Sequence, residues 1–204
     1  MNNKYAILID GGFLNRKLQT RLRHFPTAED VVSECERLKA LEALSSMSLL
    51  RIYYYHAPPL AEVITNPISG AQTDLSTSSA FRNNTSLLDK LELKPDFALR
   101  LGEVFSSGWK LGKNATRDIT TNARPVEARD FIPDLNQKGV DLRIGLDIAR
   151  LSLGHLVDVI VVVTGDSDFV PAFKFARREG IRVYLDHMGH GVRRELKAHV
   201  DRVL

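Results

Sequence analysis

Cys35 is the only cysteine in these 204 residues, so no internal disulfide can brace the chain. No apolar run approaches the roughly 20 residues that a membrane-spanning helix needs. The longest, Val157 to Thr164, meets Asp158 at its second position. The opening MNNKYAILIDGG lacks a charged first segment, a long apolar stretch and a small-residue cleavage site, which predicts no secretory signal. A surplus of one charge is missing too, since 28 Lys and Arg face 25 Asp and Glu and leave a net +3. These absences predict a cytoplasmic protein with no membrane segment. With 44% hydrophobic and 26% charged residues, the composition excludes a disordered tail, a collagen-like fibre and a disulfide-stapled mini-protein. The length suits one domain with its own core. There is no Gly-x-Gly-x-x-Gly or Walker loop, hence no nucleotide cofactor, and no Gly-x-Ser-x-Gly elbow.

What is present is an alternation of apolar strands and helices. Tyr5–Ile9 is a short apolar run closed by Asp10-Gly11-Gly12, which predicts a buried strand and a turn. A helical spacing follows over Phe13–Phe25. After Pro26, Thr27 to Asp30 form a capping box ahead of a helix with Val31, Cys35, Leu38, Leu41 and Leu44 on one face. Cys35 lies in that stripe, so it is expected to be a buried structural thiol. Leu49–Tyr55 predicts a second strand, Ser79–Leu91 a helix and Phe97–Val104 a strand with Gly108–Leu111 as hairpin partner. Residues 56–80 and 106–137 are expected to be irregular insertions. The last third predicts a helix over Val140–Leu153, a fully buried strand over Val157–Val163, a helix over Phe169–Glu179, a strand over Ile181–Leu185 and a final helix over Val192–His199. Apolar strands without a wet face, alternating with helices, indicate one α/β domain with a mainly parallel sheet covered on both sides.

Ligands of such a sheet bind beyond the carboxyl ends of its strands. Asp10 ends the first strand, and Asp166 and Asp168 follow the most apolar one in Thr164-Gly-Asp-Ser-Asp-Phe169. Asp141 and Asp147 lie on the helix leading into that strand, six residues and therefore about 120° apart. Carboxylates gathered at one edge repel, and a hard divalent cation such as Mg²⁺ or Mn²⁺ neutralises them best. Each has a plain structural alternative: a turn former for Asp10, helix caps for Asp166, Asp168 and Asp141, a solvated helix face for Asp147. His187 and His190 make only a weak ligand pair. A haloacid-dehalogenase type of phosphatase needs a second Asp two residues after the first, where this chain has Gly12.

The segment Lys138-Gly-Val-Asp141-Leu-Arg-Ile-Gly-Leu-Asp147-Ile-Ala, followed by VDVIVVVTGDSDFVPAFKFARREGIRVYL, resembles the NYN domain in its LabA-like branch, and YAILIDGGFL fits that family's first motif. The resemblance implies a three-layer α/β/α PIN-like, Rossmann-like fold and a metal-dependent ribonuclease acting on single-stranded RNA. It places Asp10, Asp147 and Asp166 as metal ligands. Asp141 and Asp168 complete the acidic set, acting through water or orienting the attacking water. Where many members carry Asn three residues after the first Asp, this chain has Phe13, and the nearest amide is Asn15. Asn15, Lys110, Lys138, Arg143 and Ser167 are the candidates to contact substrate, the basic middle segment forming a lip beside the carboxylates. Arg177, Arg178, Arg182, Arg193, Arg194 and Lys197 read as helix-surface charge. The alternative is a non-catalytic RNA-binding or regulatory module that keeps the acidic pocket. A homo-oligomer is compatible with either.

Overall fold

Strands with no polar face must be covered on both sides, and that requirement organises the molecule. The computed structural model describes residues 3–204. In chain order its elements are β1 (Lys4–Asp10), α1 (Gly11–Leu22), α2 (Ala28–Lys39), β2 (Ser48–His56), β3 (Val63–Thr65), β4 (Gln72–Asp74), α3 (Ser79–Glu92), β5 (Phe97–Leu101), β6 (Glu103–Leu111), α4 (Lys113–Asn122), β7 (Phe131–Lys138), α5 (Val140–Leu153), β8 (Val159–Val163), α6 (Val170–Arg178), β9 (Arg182–Asp186), α7 (Arg194–Ala198) and β10 (Arg202–Val203). Six strands form the central sheet in the order β10-β9-β8-β1-β2-β5, and every pair is parallel.

Alternation along β1 assigns the two faces. Tyr5, Ile7 and Ile9 point into a core with α1, α2 and α3, where Leu14, Leu18, Val31, Cys35, Leu38 and Leu91 are buried. Ala6 and Leu8 point the other way, against α5 and α6 through Ile144, Ile148, Val170 and Phe173. The result is the expected three-layer α/β/α fold. From β1 the chain builds outward through β2 to β5, and it returns on the opposite side of β1 as β8. The switch point therefore lies between β1 and β8, where an open parallel sheet leaves a crevice.

Two expected irregular regions prove ordered. Within 56–80, β3 and β4 form a small antiparallel hairpin. Within 106–137, β6 and β7 pair as an antiparallel ribbon with α4 inserted at its far end. The expected strand over Phe97–Val104 divides at the buried Gly102, and the partner of β6 is β7, not Gly108–Leu111. On β6 three steps from Ser106 to Trp109 face two on β7 from Leu135 to Pro133, a bulge that blurs the period-2 pattern. Leu41 and Leu44 fall beyond α2 in a tight turn, Leu44 still buried.

The first motif has a packing reason. A β carbon on Gly11 would stand 2.6 Å from the Tyr55 carbonyl oxygen and 2.8 Å from the Tyr54 ring, so only glycine lets α1 start directly against β2. At Gly12 the nearest atom would be Asp10 Oδ1 at 3.4 Å, an ordinary contact. Gly11→Ala is expected to cost about 1–3 kcal/mol of stability by overpacking, whereas Gly12→Ala should stay within about 0.5 kcal/mol of the parent. Urea unfolding midpoints compare the two directly; equal effects would remove this packing constraint.

Candidate functional site

Asp10 is the last residue of β1 and the N-cap of α1. Its Oδ1 accepts the Phe13 N–H at 3.0 Å, which anchors the carboxylate where strand becomes helix. Its Oδ2 accepts the hydroxyl of the fully buried Thr164 at 3.3 Å, and that hydroxyl in turn accepts the Asp166 N–H at 3.2 Å. Thr164 thereby ties the ends of β1 and β8 together. Asp166 Oδ1 accepts the Asp168 N–H at 2.9 Å and caps a single turn over Ser167–Phe169, from which α6 continues with Pro171 in its first turn. The capping alternative thus describes Asp166, and it occupies one carboxylate oxygen only.

Asp141 reaches the same place from another direction. Gly139, at φ 78°, is the N-cap of α5, a left-handed position that favours glycine, and Asp141 follows in the first turn. Asp10 and Asp141 both sense neighbouring carboxylates. Burial raises the Asp10 carboxyl most; the Phe13 N–H, Arg16 and the Thr164 hydroxyl oppose this, and Asp166 adds to the rise. Asp141 is raised by burial first, then by Asp10, Asp166 and Asp168. None of these four forms an ion pair among the described residues.

Asp147 has partners of its own. Six residues along α5 move it about 9 Å down the axis and about 120° around it. There its Oδ2 accepts both the Tyr55 hydroxyl and Arg100 Nε at 2.8 Å. Among the expected substrate residues, Ser167 lines the acidic cleft. Asn15 is buried, 7% exposed, with its Oδ1 accepting the Tyr54 hydroxyl at 2.9 Å, so it lies in the core rather than the cleft wall. Lys110 pairs with Asp134 on the ribbon, Lys138 sits 4.3 Å over the Phe105 ring, and Arg143 is exposed on α5.

Sequence reasoning missed the cations that do border the carboxylates. The cleft, ≈ 410 Å³, is lined by Asp10, Asp166 and Ser167 together with Arg16, His190 and Arg193. Lys17 Nζ lies 2.7 Å from His190 Nδ1, and the His190 ring lies 6.1 Å from that of Phe13. Arg16 had a signal, since it follows an N-capping Asp by six residues on the next turns of α1. Arg193 had none, because its place depends on the turn after β9. Phe13 packs so closely on Gly165 that a β carbon there would stand 2.6 Å from its ring.

As they stand, no three His, Cys, Asp or Glu side chains among the described residues are arranged to hold a metal ion together. The donor chemistry nonetheless fits a hard divalent cation: oxygen ligands only, mutually repelling and without paired cations.

Residues 109–204 match the family model of the NYN domain. A crystal structure of a protein of unknown function from Vibrio parahaemolyticus has the same fold, with a TM-score of 0.54 at 15% identity, covering 98% of this chain and 91% of that one. None of the curated proteins matches the sequence. Among the described residues, no helix is long and apolar enough to cross a membrane.

A carboxyl whose folded-state pKa lies above its unfolded value leaves stability intact at low pH, and the loss grows as pH rises through that folded pKa. Asp10→Asn keeps an oxygen for the Phe13 N–H but removes the charge. The variant is therefore expected to melt at a higher temperature than the parent at pH 7, the two converging as pH falls below about 4. A lower melting temperature at pH 7 would contradict the uncompensated charge.

Proposed function

We propose that this chain, whose residues 109–204 match the NYN family model, is a metal-dependent ribonuclease that hydrolyses phosphodiester bonds of single-stranded RNA. One observation carries the reading: the Thr164 hydroxyl ties Asp10 to Asp166 at the β1–β8 switch point, and neither carboxylate forms an ion pair among the described residues. Asp10, Asp141 and Asp166 are the residues that would hold Mg²⁺ or Mn²⁺, and Asp168, exposed at the rim, would orient the attacking water. When bound, the ion supplies charge neutralisation for the phosphodiester and a lowered pKa for its water. Thr164 fixes Asp10 relative to Asp166. Arg16 and Arg193 border the same cleft and hold the flanking phosphates, while His190, braced by Lys17, closes the wall. Asp147 serves this site indirectly by keeping Arg100 and Tyr55 in place.

The competing reading, an RNA-binding module without turnover, draws on the absence of a ready three-ligand arrangement. Labelled single-stranded RNA incubated with Mn²⁺ or Mg²⁺, against an EDTA control, separates the two. Cleavage is expected only with metal. Asp166→Asn should reduce it by roughly 10²-fold or more, with a melting temperature no lower than the parent's. Full cleavage by Asp166→Asn would sink the assignment of this site. RNA bound but never cut, with either metal, would establish the non-catalytic module.

A further inference from the structure

A second cleft opens at the same edge, one strand away from the acidic one. It measures ≈ 240 Å³ and lies over the end of β2, walled by Leu60, Phe81 and Leu135, with His56, Asn84 and Gln137 among its polar groups. No Lys, Arg, Asp or Glu lines it. A phosphate or carboxylate therefore has no cationic side chain to pair with there. Its volume falls short of the ~300–1,000 Å³ of sites for drug-sized ligands, and so suits a single ring system.

The polar side has a definite sense. Asn84 Nδ2 donates to the Ala80 carbonyl at 2.9 Å, which leaves Asn84 Oδ1 as the acceptor facing His56 Nε2 at 3.0 Å. His56 must then carry its proton on Nε2. Burial pushes the His56 pKa down, the Asn84 contact opposing it, so the ring is neutral near pH 7. Its Nδ1 is a lone pair, buried and without a partner in a side chain only 7% exposed.

The two clefts are neighbours. Asp10 pairs with Tyr55 across β1 and β2, and His56 is the next residue, on a strand about 4.7–4.9 Å away. Gln137, which lines the second cleft, has its Oε1 4.0 Å from where a β carbon on Gly12 would stand. Gln137 thus stands between the second cleft and the Asp10–Gly12 turn.

We infer that this pocket receives one unpaired nucleobase of the RNA strand held at the acidic cleft, its face toward Phe81. The inference rests on the reading of the acidic cleft as an RNA site. Flat apolar walls, one half-buried aromatic and a few fixed polar groups are what an unstacked base requires. The pocket is too small for a base pair, so it selects single strands.

The test uses short fluorescent single-stranded RNAs in EDTA, so that binding is read without cleavage. One carries all its bases, and a second set has a single abasic position moved along the strand. For the parent chain, one abasic position is expected to weaken binding by about 5- to 150-fold, the range of one lost base–aromatic stack. In Phe81→Ala, intact RNA should bind that much more weakly, and the abasic strand should bind no worse than intact RNA. Gln137→Ala, on the ribbon and away from the core, should give a smaller loss in the same sense if Phe81→Ala fails to fold. Equal affinity for intact and every abasic RNA, or no binding of any strand, would overturn the pocket. Metal-dependent cleavage with that equality leaves the nuclease and removes the pocket. Abasic-sensitive binding with no cleavage in Mn²⁺ removes the nuclease and leaves the pocket.

Discussion

The parallel pairing of β1 with β8, register Tyr5–Val159 through Ile9–Val163, holds Asp10 and the Thr164–Asp168 turn at one edge against the mutual repulsion of their carboxylates. Both strands are buried on both faces, so neither can slide or tilt to relieve the charge without exposing Val161, Val162, Ile7 or Leu8. The Thr164 hydroxyl is the local clamp. It donates to Asp10 and accepts from the Asp166 backbone, and thus converts sheet register into a fixed relation between two acidic groups. Rigid apolar strands thereby maintain a polar arrangement that would spread apart if left to itself.

Other carboxylates toward this edge are treated differently, and the contrast gives the cluster its meaning. Asp186 ends β9, is 3% exposed and pairs with Arg37, which also binds the buried Glu34 at 2.6 Å. Burial pushes the Glu34 carboxyl up, yet Arg21 and Arg37 more than offset it and hold it below the usual range. Asp147 has Arg100 and Tyr55. Asp186, Glu34 and Asp147 are each held by an arginine. Asp10, Asp141, Asp166 and Asp168 form no ion pair among the described residues, and Asp10 and Asp141 are raised by burial first and then by neighbouring carboxylates. A group kept uncompensated in a fold that supplies arginines nearby is better explained by an external cation than by packing.

Much of the frame was legible because its signals are local. VDVIVVV has no polar face to present to water, Asp10-Gly-Gly marks a strand end, and Thr27–Asp30 writes out its own cap, which the structure contains in full. The ribbon was not legible. β6 and β7 meet across about 20 intervening residues, carry a bulge and are half-buried, so neither strand shows a clean alternation. Asp147 shows where motif and geometry part. Its spacing from Asp141 already stated that the two diverge by 120°, and the fold resolves this by giving Asp141 to the edge and Asp147 to Arg100. Arg193 and His190 depend on a turn whose path no residue pattern announces, and they stayed invisible until β9 was in place.

The ribbon's own charges then sharpen the proposed path of the substrate. Lys110 is paired with Asp134, and Arg124 binds Asp118 and grips Asp130 with two parallel contacts. Lys138 is drawn over Phe105. Lys110 and Arg124 are thus paired within the ribbon itself. The cations that face the acidic cleft come from α1 and the turn after β9, on the opposite side from the apolar pocket at β2. Charge along the edge runs from basic, through acidic, to uncharged. On the proposed path, a strand whose phosphates lie at Arg16 and Arg193 and whose base enters beside Gln137 would place one phosphodiester over Asp10.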